Sequence, residues 1–568
     1  MQPFLRECLG LLHTLHDLSL TNQNMKILKN SLHLLGFTIL FLSISKSMYG
    51  QDKRPNILFI MSDDHAYQAI SAYDTTLTKT PQIDRIAREG MLFTNACVTN
   101  SICAPSRAVI LTGKHSHLNG KIDNKSPFDT SQLTFPQLLR QNGYQTSLFG
   151  KLHFGNSPKG FDDFKILIGQ GEYYNPRFIT KAEGETKVPG YATDIITDMT
   201  LDWLKQKRDP AKPFLCMYLH KAPHREWLPE PRHYKKYLLK YFPLPATLFD
   251  NYENRGTAAK TAQMNLLKHL HWAGDSKIPP HELKKLGIKE TSDFGEKVYL
   301  NNMERMDSVQ VAEWHKAYTP MVEAFKKQYP TMTEKDLMIW RYQRYMQDYL
   351  ACIESVDEGV GKVLDYLEKE GLAENTLVVY TSDQGFYLGE HGWFDKRFMY
   401  NESFRTPLLI RWPGKVKPGS VNHQMVQNLD FAQTFLEMAG IKAPGNMQGQ
   451  SLVPLLNGDT AGFRKEAYFH FYEYPGVHQV KRHYGVANRD YKLIHFYNDL
   501  DEWELYDRKK DPSEIRNVYA DPAYAYVVKS MKELLEATRK KYKDSAELDR
   551  QFIEQDKKRY QNVKNYQK

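Results

Sequence analysis

The sequence predicts an α/β fold: a large, mostly parallel sheet flanked by helices, followed by a smaller C-terminal subdomain of antiparallel strands and a helix. Three observations lead there. Four short apolar runs bounded by turn residues alternate with helical patterns, as expected of parallel strands joined by helical crossovers. At 568 residues the chain exceeds what one simple core usually holds. Beyond about Gly440 the pattern changes to short strands separated by polar turns.

Met25 opens a segment in which Lys26 and Lys29 precede an apolar stretch from Leu32 to Ile44 and small residues at Ser45, Ser47 and Gly50. That is the order of a secretory signal peptide, and the stretch is shorter than the ~20 residues a membrane span requires. Residues 1–50 are read as an N-terminal extension and signal peptide with Met25 as the true start. The mature chain is expected to be secreted or periplasmic, in a bacterium, without a stable membrane span.

Residues 51–440 are expected to form the main domain. Its strands are Asn56–Met61, Gln145–Phe149, Pro213–Leu219 and Thr376–Thr381, and its helices cover Gln82–Glu89, Thr134–Gln141, Thr193–Lys205 and about Leu337–Lys369. A lysine-rich stretch at about 229–333 lacks strand alternation and reads as an insertion at the ligand-binding edge of the sheet. In residues 441–550, His483–Asn488, Tyr491–Tyr497 and Trp503–Tyr506 read as strands. A helix follows at about Pro522–Lys543, with Asp521 as N-cap. Residues 551–568 read as a basic tail. The 76 Lys+Arg exceed the 67 Asp+Glu without a long basic block, which argues against a nucleic-acid partner. Of five cysteines, Cys8 precedes Met25. The spacing of Cys97, Cys103, Cys216 and Cys352 is not that of a disulfide scaffold.

The words after the strands carry the chemistry. They are Ser62-Asp63-Asp64-His65, Gly150-Lys151-Leu152-His153, His220-Lys221-Ala222-Pro223-His224 and Ser382-Asp383-Gln384-Gly385. Ligands of open α/β sheets bind beyond the carboxyl ends of the strands. Asp63, Asp64 and Asp383, with the amide oxygen of Gln384, form an all-oxygen set suited to a hard divalent cation, Ca²⁺ more readily than Mg²⁺.

The segment Cys103-Ala104-Pro105-Ser106-Arg107, continued to Leu111-Thr112-Gly113-Lys114, resembles the signature of the type I sulfatases, in which that cysteine is oxidised to Cα-formylglycine. Lys114 stands where many relatives have arginine. The resemblance spans roughly Arg54 to Asp511 and includes Gly150-Lys151-Leu152-His153, Ala222-Pro223-His224, Ser382-Asp383-Gln384-Gly385 and Trp393-Phe394-Asp395-Lys396-Arg397. It implies an alkaline-phosphatase-like fold and an enzyme that hydrolyses sulfate esters.

It also implies roles. Cys103, as formylglycine, would be nucleophile and metal ligand, one Ca²⁺ being held with Asp63, Asp64, Asp383 and Gln384. Asp383 would accept the nucleophile's proton, and Arg107 would orient the nucleophile. Lys151, His224 and Lys396 would bind the sulfate, His224 or Lys396 would protonate the leaving oxygen, and His153 would drive sulfate expulsion. A maturation enzyme that generates formylglycine is an implied partner. Further words, among them Phe242-Pro-Leu-Pro245 and Val480-Lys481-Arg482-His483-Tyr484-Gly485, resemble bacterial sulfatases acting on N-acetylglucosamine-6-sulfate of glycosaminoglycans. On that likeness Asp395, with His478 or His483, would grip sugar hydroxyls. A sulfatase on another sulfated polysaccharide or aryl sulfate, a phospho- or phosphonate-monoester hydrolase of the same superfamily, and a non-catalytic sulfated-glycan binder are the alternatives.

Overall fold

The computed structural model describes residues 54–566; the signal-peptide reading lies outside the described residues. A ten-stranded sheet forms the centre, in the order Ser420–Asn422, Met91–Phe93, Leu408–Arg411, Thr376–Ser382, Asn56–Ser62, Phe214–Leu219, Gln145–Gly150, Asp163–Leu167, Arg177–Thr180 and Gly184–Lys187. The middle five, Thr376–Ser382 through Asp163–Leu167, are parallel to one another. Four of those five are the strands the apolar runs indicate. The edge strands are short, and those at Leu408–Arg411, Arg177–Thr180 and Gly184–Lys187 pair antiparallel. Runs of three to five residues carry too little periodicity to be read from sequence.

Both faces of the sheet are covered, as a central parallel sheet requires. In Asn56–Ser62 the alternation sends Leu58 and Ile60 to one core and Ile57, Phe59 and Met61 to the other. The first core lies under helices Ala192–Asp202 and Glu334–Lys369, the second under Cys103–Thr112, Phe135–Gln141 and Phe431–Met438. The 36-residue helix Glu334–Lys369 starts at a capping box between Thr333 and Asp336. Residues 229–333 are helices and loops that pack Tyr234, Trp314, Tyr318 and Phe325 into the first core. This stretch also reaches the loop that carries Asp395, through a bridge between Asn265 and Trp393 and a 3.0 Å bond from Phe394 N–H to the Met264 carbonyl.

The second sheet has four antiparallel strands, Ala467–Phe471, His483–Ala487, Tyr491–Phe496 and Glu502–Asp507. The first of these is missing from the sequence reading because all five of its residues are buried, which erases the alternation of a one-sided strand. Phe469 and Phe471 share a core with Phe398 and Phe404 of the main domain. Asp521 caps the next helical segment, accepting from Ala523 N–H at 3.0 Å; that segment is a short turn, Pro522–Tyr524, leading into helix Ala525–Lys541. The stretch read as a tail carries a final helix, Ala546–Tyr566. Among the described residues no helix is long and apolar enough to cross a membrane.

Candidate active site

Strand register explains why distant segments meet. Ser62 lies opposite Ser382, Met61 opposite Leu219, and Gly150 opposite Leu219, so four strands end at one level and deliver Asp63, Lys151, His220 and Asp383 to a common edge. Asp64 adopts φ = 65°, a left-handed turn that short polar side chains tolerate. Its N–H donates to Asp383 Oδ1 at 3.1 Å, tying the two acidic turns together.

Helix Cys103–Thr112 begins at this edge. Cys103 and Arg107 are four residues apart, hence on one helical face, and both are fully buried there. Arg107 Nε donates to Asp383 Oδ2 at 2.9 Å, and Nη2 lies 2.8 Å from the same oxygen and 3.4 Å from Asp63 Oδ1. Nη1 donates to the Lys151 carbonyl. Ser106 Oγ donates to the Asp383 carbonyl while accepting from Asn428 Nδ2 at 2.8 Å. The Pro-Ser-Arg word thus locks the helix start onto the Asp383 turn.

Around Cys103 stand the cations. Lys151 Nζ donates to Asp63 Oδ2 and Gln170 Oε1, and Lys396 Nζ donates to Asp64 Oδ2 at 2.7 Å. His224 Nε2 lies 3.7 Å from Asp64 Oδ2. Ligand atoms of Asp63, Cys103 and His224 fall within 4.8 Å of one another, as do those of Asp63, Asp64 and Asp383. Gln384 Nε2 donates to Asp64 Oδ1 and is 3.8 Å from Cys103 Sγ. His153 is half-buried at φ = 67°, and its Nδ1 has no hydrogen-bond partner among the described residues.

Burial sets the electrostatics. It opposes the charge of Asp63, but Lys151, His224 and Arg107 outweigh it and hold that carboxyl well below the usual range. Burial raises Asp64 to about 6 against the pull of Lys396. Burial and the neighbouring Asp63 raise Asp383 to about 7. Burial and Asp63 also push the Cys103 thiol up, so an unmodified cysteine here is a poor nucleophile. Burial and Lys151 lower His153 and His224 well below the usual imidazole value, which favours the neutral form of both.

Three carboxylates face three cations. Asp63 Oδ1 and Gln384 Oε1 are nonetheless buried without a hydrogen-bond donor. Two orphaned oxygens beside these carboxylates fit a hard divalent cation, whose charge would satisfy them.

On the outer side, His478 Nε2 lies 3.2 Å from Asp395 Oδ2, and its Nδ1 is 2.7 Å from the Gln263 carbonyl. Arg397 Nε is 3.3 Å from Asp395 Oδ1, and its Nη1 donates to Glu473 Oε1 at 3.0 Å. The sequence reading missed Arg397 and Glu473. Arg397 follows Lys396 in a quoted word, but its left-handed φ of 102° leaves no trace in sequence. His483 is a correction. Its Nε2 accepts from Met399 N–H at 3.1 Å and its Nδ1 donates to the Lys481 carbonyl at 2.8 Å. The ring packs among Phe398, Phe469, Phe471 and Phe496, so it has no free nitrogen for a sugar. Of the two histidines, His478 is the one beside Asp395.

Residues 55–441 match the sulfatase family model. The chain belongs to the sulfatase family, within the alkaline-phosphatase-like superfamily. Residues 389–541 match the model of the N-sulphoglucosamine sulphohydrolase C-terminal region. The chain is 49% identical to the N-acetylglucosamine-6-O-sulfatase of Bacteroides thetaiotaomicron over 87% of its length and 88% of that protein. It resembles the solved structure of BT4656 in complex with its substrate D-glucosamine-2-N,6-O-disulfate, with a TM-score of 0.83 and 48% identity, covering 87% of this chain and 99% of that one. The phosphonate monoester hydrolase of Silicibacter pomeroyi shares the fold, with a TM-score of 0.61 at 20% identity, covering 86% of this chain and 96% of that one.

Proposed function

We propose that this sulfatase is exported and removes the 6-O-sulfate from N-acetylglucosamine-6-sulfate or related glucosamine sulfates of glycosaminoglycans, using formylglycine at position 103 and one Ca²⁺. The observation that carries the reading is the convergence of Cys103, the three aspartates, Lys151, Lys396 and His224 on one buried edge. The relative named N-acetylglucosamine-6-O-sulfatase, similar over nearly its whole length, and the substrate held by BT4656 support the choice of sugar.

Asp63, Asp64, Asp383 and Gln384 would hold the cation together with the modified residue 103; when bound, Ca²⁺ supplies Lewis-acid polarisation of the sulfate oxygens. A hydrated aldehyde at position 103 would supply two geminal hydroxyls, the first as nucleophile towards sulfur and the second, on losing its proton, to re-form the carbonyl and release the sulfate carried by the first. Arg107, fixed by Asp383 and the Lys151 carbonyl, orients the attacking group. Asp383, whose carboxyl is pushed up by burial and by the neighbouring Asp63 before any cation binds, would accept its proton. The ammonium groups of Lys151 and Lys396, with His224, surround the sulfate and stabilise the charge that builds on it. Lys396, or His224 once the negative charge of the bound sulfate has raised its proton affinity, would protonate the departing sugar oxygen, and His153 would remove the proton from the second hydroxyl. Asp395 and His478, with Arg397, receive the sugar hydroxyls.

The test is sulfate release from sulfated mono- and disaccharides by protein co-expressed with a maturation enzyme, with mass spectrometry of the residue-103 peptide. Release from N-acetylglucosamine-6-sulfate that disappears in Cys103→Ala is expected. Full activity of that variant, or faster turnover of nitrophenyl phosphate than of any sulfate, overturns the reading.

A further inference from the structure

Next to His224 stands an arginine that the proposed chemistry does not use. Arg225 Nε donates to Asp275 Oδ1 at 2.9 Å and Nη2 to Asp275 Oδ2. Asp275 is buried and further fixed by accepting from His271 N–H at 2.7 Å. The guanidinium lies 4.8 Å over the Phe394 ring, and the His478 ring meets that same phenyl edge-on at 5.2 Å. Since His478 is 3.2 Å from Asp395, Arg225 flanks the space between the sulfate-side cations and the sugar-side pair. Asp275 occupies one edge of the planar fork. Nη1 has no protein acceptor among the described residues and is not sealed off as the orphaned buried atoms are.

A guanidinium held on one edge by a buried carboxylate and on its face by a phenyl ring is pre-oriented, so little freedom is lost when its other edge binds an anion. We propose that Arg225 is a specificity-determining residue that reads a second negative charge on the substrate sugar, of the kind an N-sulfo group carries, with Asp275 as its positioning partner. This assignment rests on the glucosamine 6-O-sulfatase reading above. The insertion that supplies Asp275 thereby takes part in choosing the substrate. A neutral N-acetyl group offers that edge only a carbonyl oxygen and forms a weaker bond.

The experiment compares kcat/KM for 6-O-sulfate release from glucosamine-2-N,6-O-disulfate and from N-acetylglucosamine-6-sulfate, in wild type, Arg225→Met and Arg225→Lys. The ratio favouring the N-sulfated sugar should fall about tenfold to a hundredfold in Arg225→Met, the range of a charge-assisted hydrogen bond, and less in Arg225→Lys. Raising ionic strength should raise the wild-type KM more for the disulfate than for the N-acetyl sugar, a readout that needs no variant to fold. An unchanged ratio, with both substrates losing equally, overturns the proposal and makes Arg225–Asp275 a structural staple only. Equal salt dependence for the two sugars also overturns it. A wild type that releases sulfate from neither overturns the glucosamine reading and this assignment with it.

Discussion

Arg107 is the joint of the site, and its removal has a calculable consequence. The guanidinium gives two contacts below 3 Å to Asp383 Oδ2, one of 3.4 Å to Asp63 Oδ1 and a bond to the Lys151 carbonyl, all without access to water. Deleting one partner of a buried ion pair costs about 3–5 kcal/mol, and here two carboxylates lose the same cation, so Arg107→Ala belongs at about 5. Arg107→Lys should recover less than half, because one ammonium replaces two hydrogen-bonded nitrogens and a third in ion-pair contact. The assay is urea unfolding of the intact chain in chelator, extended to a double-mutant cycle with Asp383→Asn. Neutralising Asp383 removes part of the reason for the arginine, so the two changes should couple by about 1–3 kcal/mol. A loss in Arg107→Ala below about 1 kcal/mol, or strict additivity, would refute the view that one cation binds the two acidic turns together.

Other outcomes follow from the same contacts. Chelation should lower the thermal midpoint, and Ca²⁺ at a hundred times its Kd should restore about 2.7 kcal/mol; calorimetric titration checks this, and no shift argues against a cation among Asp63, Asp64 and Asp383. Asp395→Asn and His478→Ala should raise KM for the sugar sulfate about tenfold with a smaller fall in kcat, measured by steady-state kinetics. His483→Phe should change kcat/KM less than about threefold, since that ring serves the core. Burial lowers His483 to about 3, below its unfolded value, so the unfolded chain takes up its proton first and stability is lost as pH falls below about 6.5. At pH 5 that loss is about 2 kcal/mol relative to pH 7. His483→Phe should remove it, and equal pH slopes for the two proteins would count against a buried neutral imidazole.

The four central strands and the residues after them were legible because burial on both faces makes such strands continuous apolar runs, and chemistry must then sit at their ends. Cys103 and Arg107 were legible only through the resemblance of Cys103-Ala104-Pro105-Ser106-Arg107 to the sulfatase signature; helical spacing explains why the two share a face. Strand Ala467–Phe471 and the edge strands were not, for want of alternation or length. His478 and His483 could not be separated in sequence. Both are histidines in one segment, and only the tertiary contacts set one beside Asp395 and bury the other in phenyl rings. Arg225, Asp275 and Glu473 lie outside any local pattern, because their partners come from other segments of the chain.

The complete burial of Cys103 sets an order of events. A side chain with no accessible surface cannot enter another protein's catalytic pocket after the sheet has closed over it. On the formylglycine reading proposed above, conversion of residue 103 would therefore precede folding and act on the extended Cys-Ala-Pro-Ser-Arg segment as a linear peptide. Folding would then end the opportunity: a chain that collapsed with the thiol intact would be trapped, structurally complete and chemically idle, and later addition of a maturation enzyme would not rescue it without unfolding. Yield of active protein would then depend on a race between two rates and not on final stability alone.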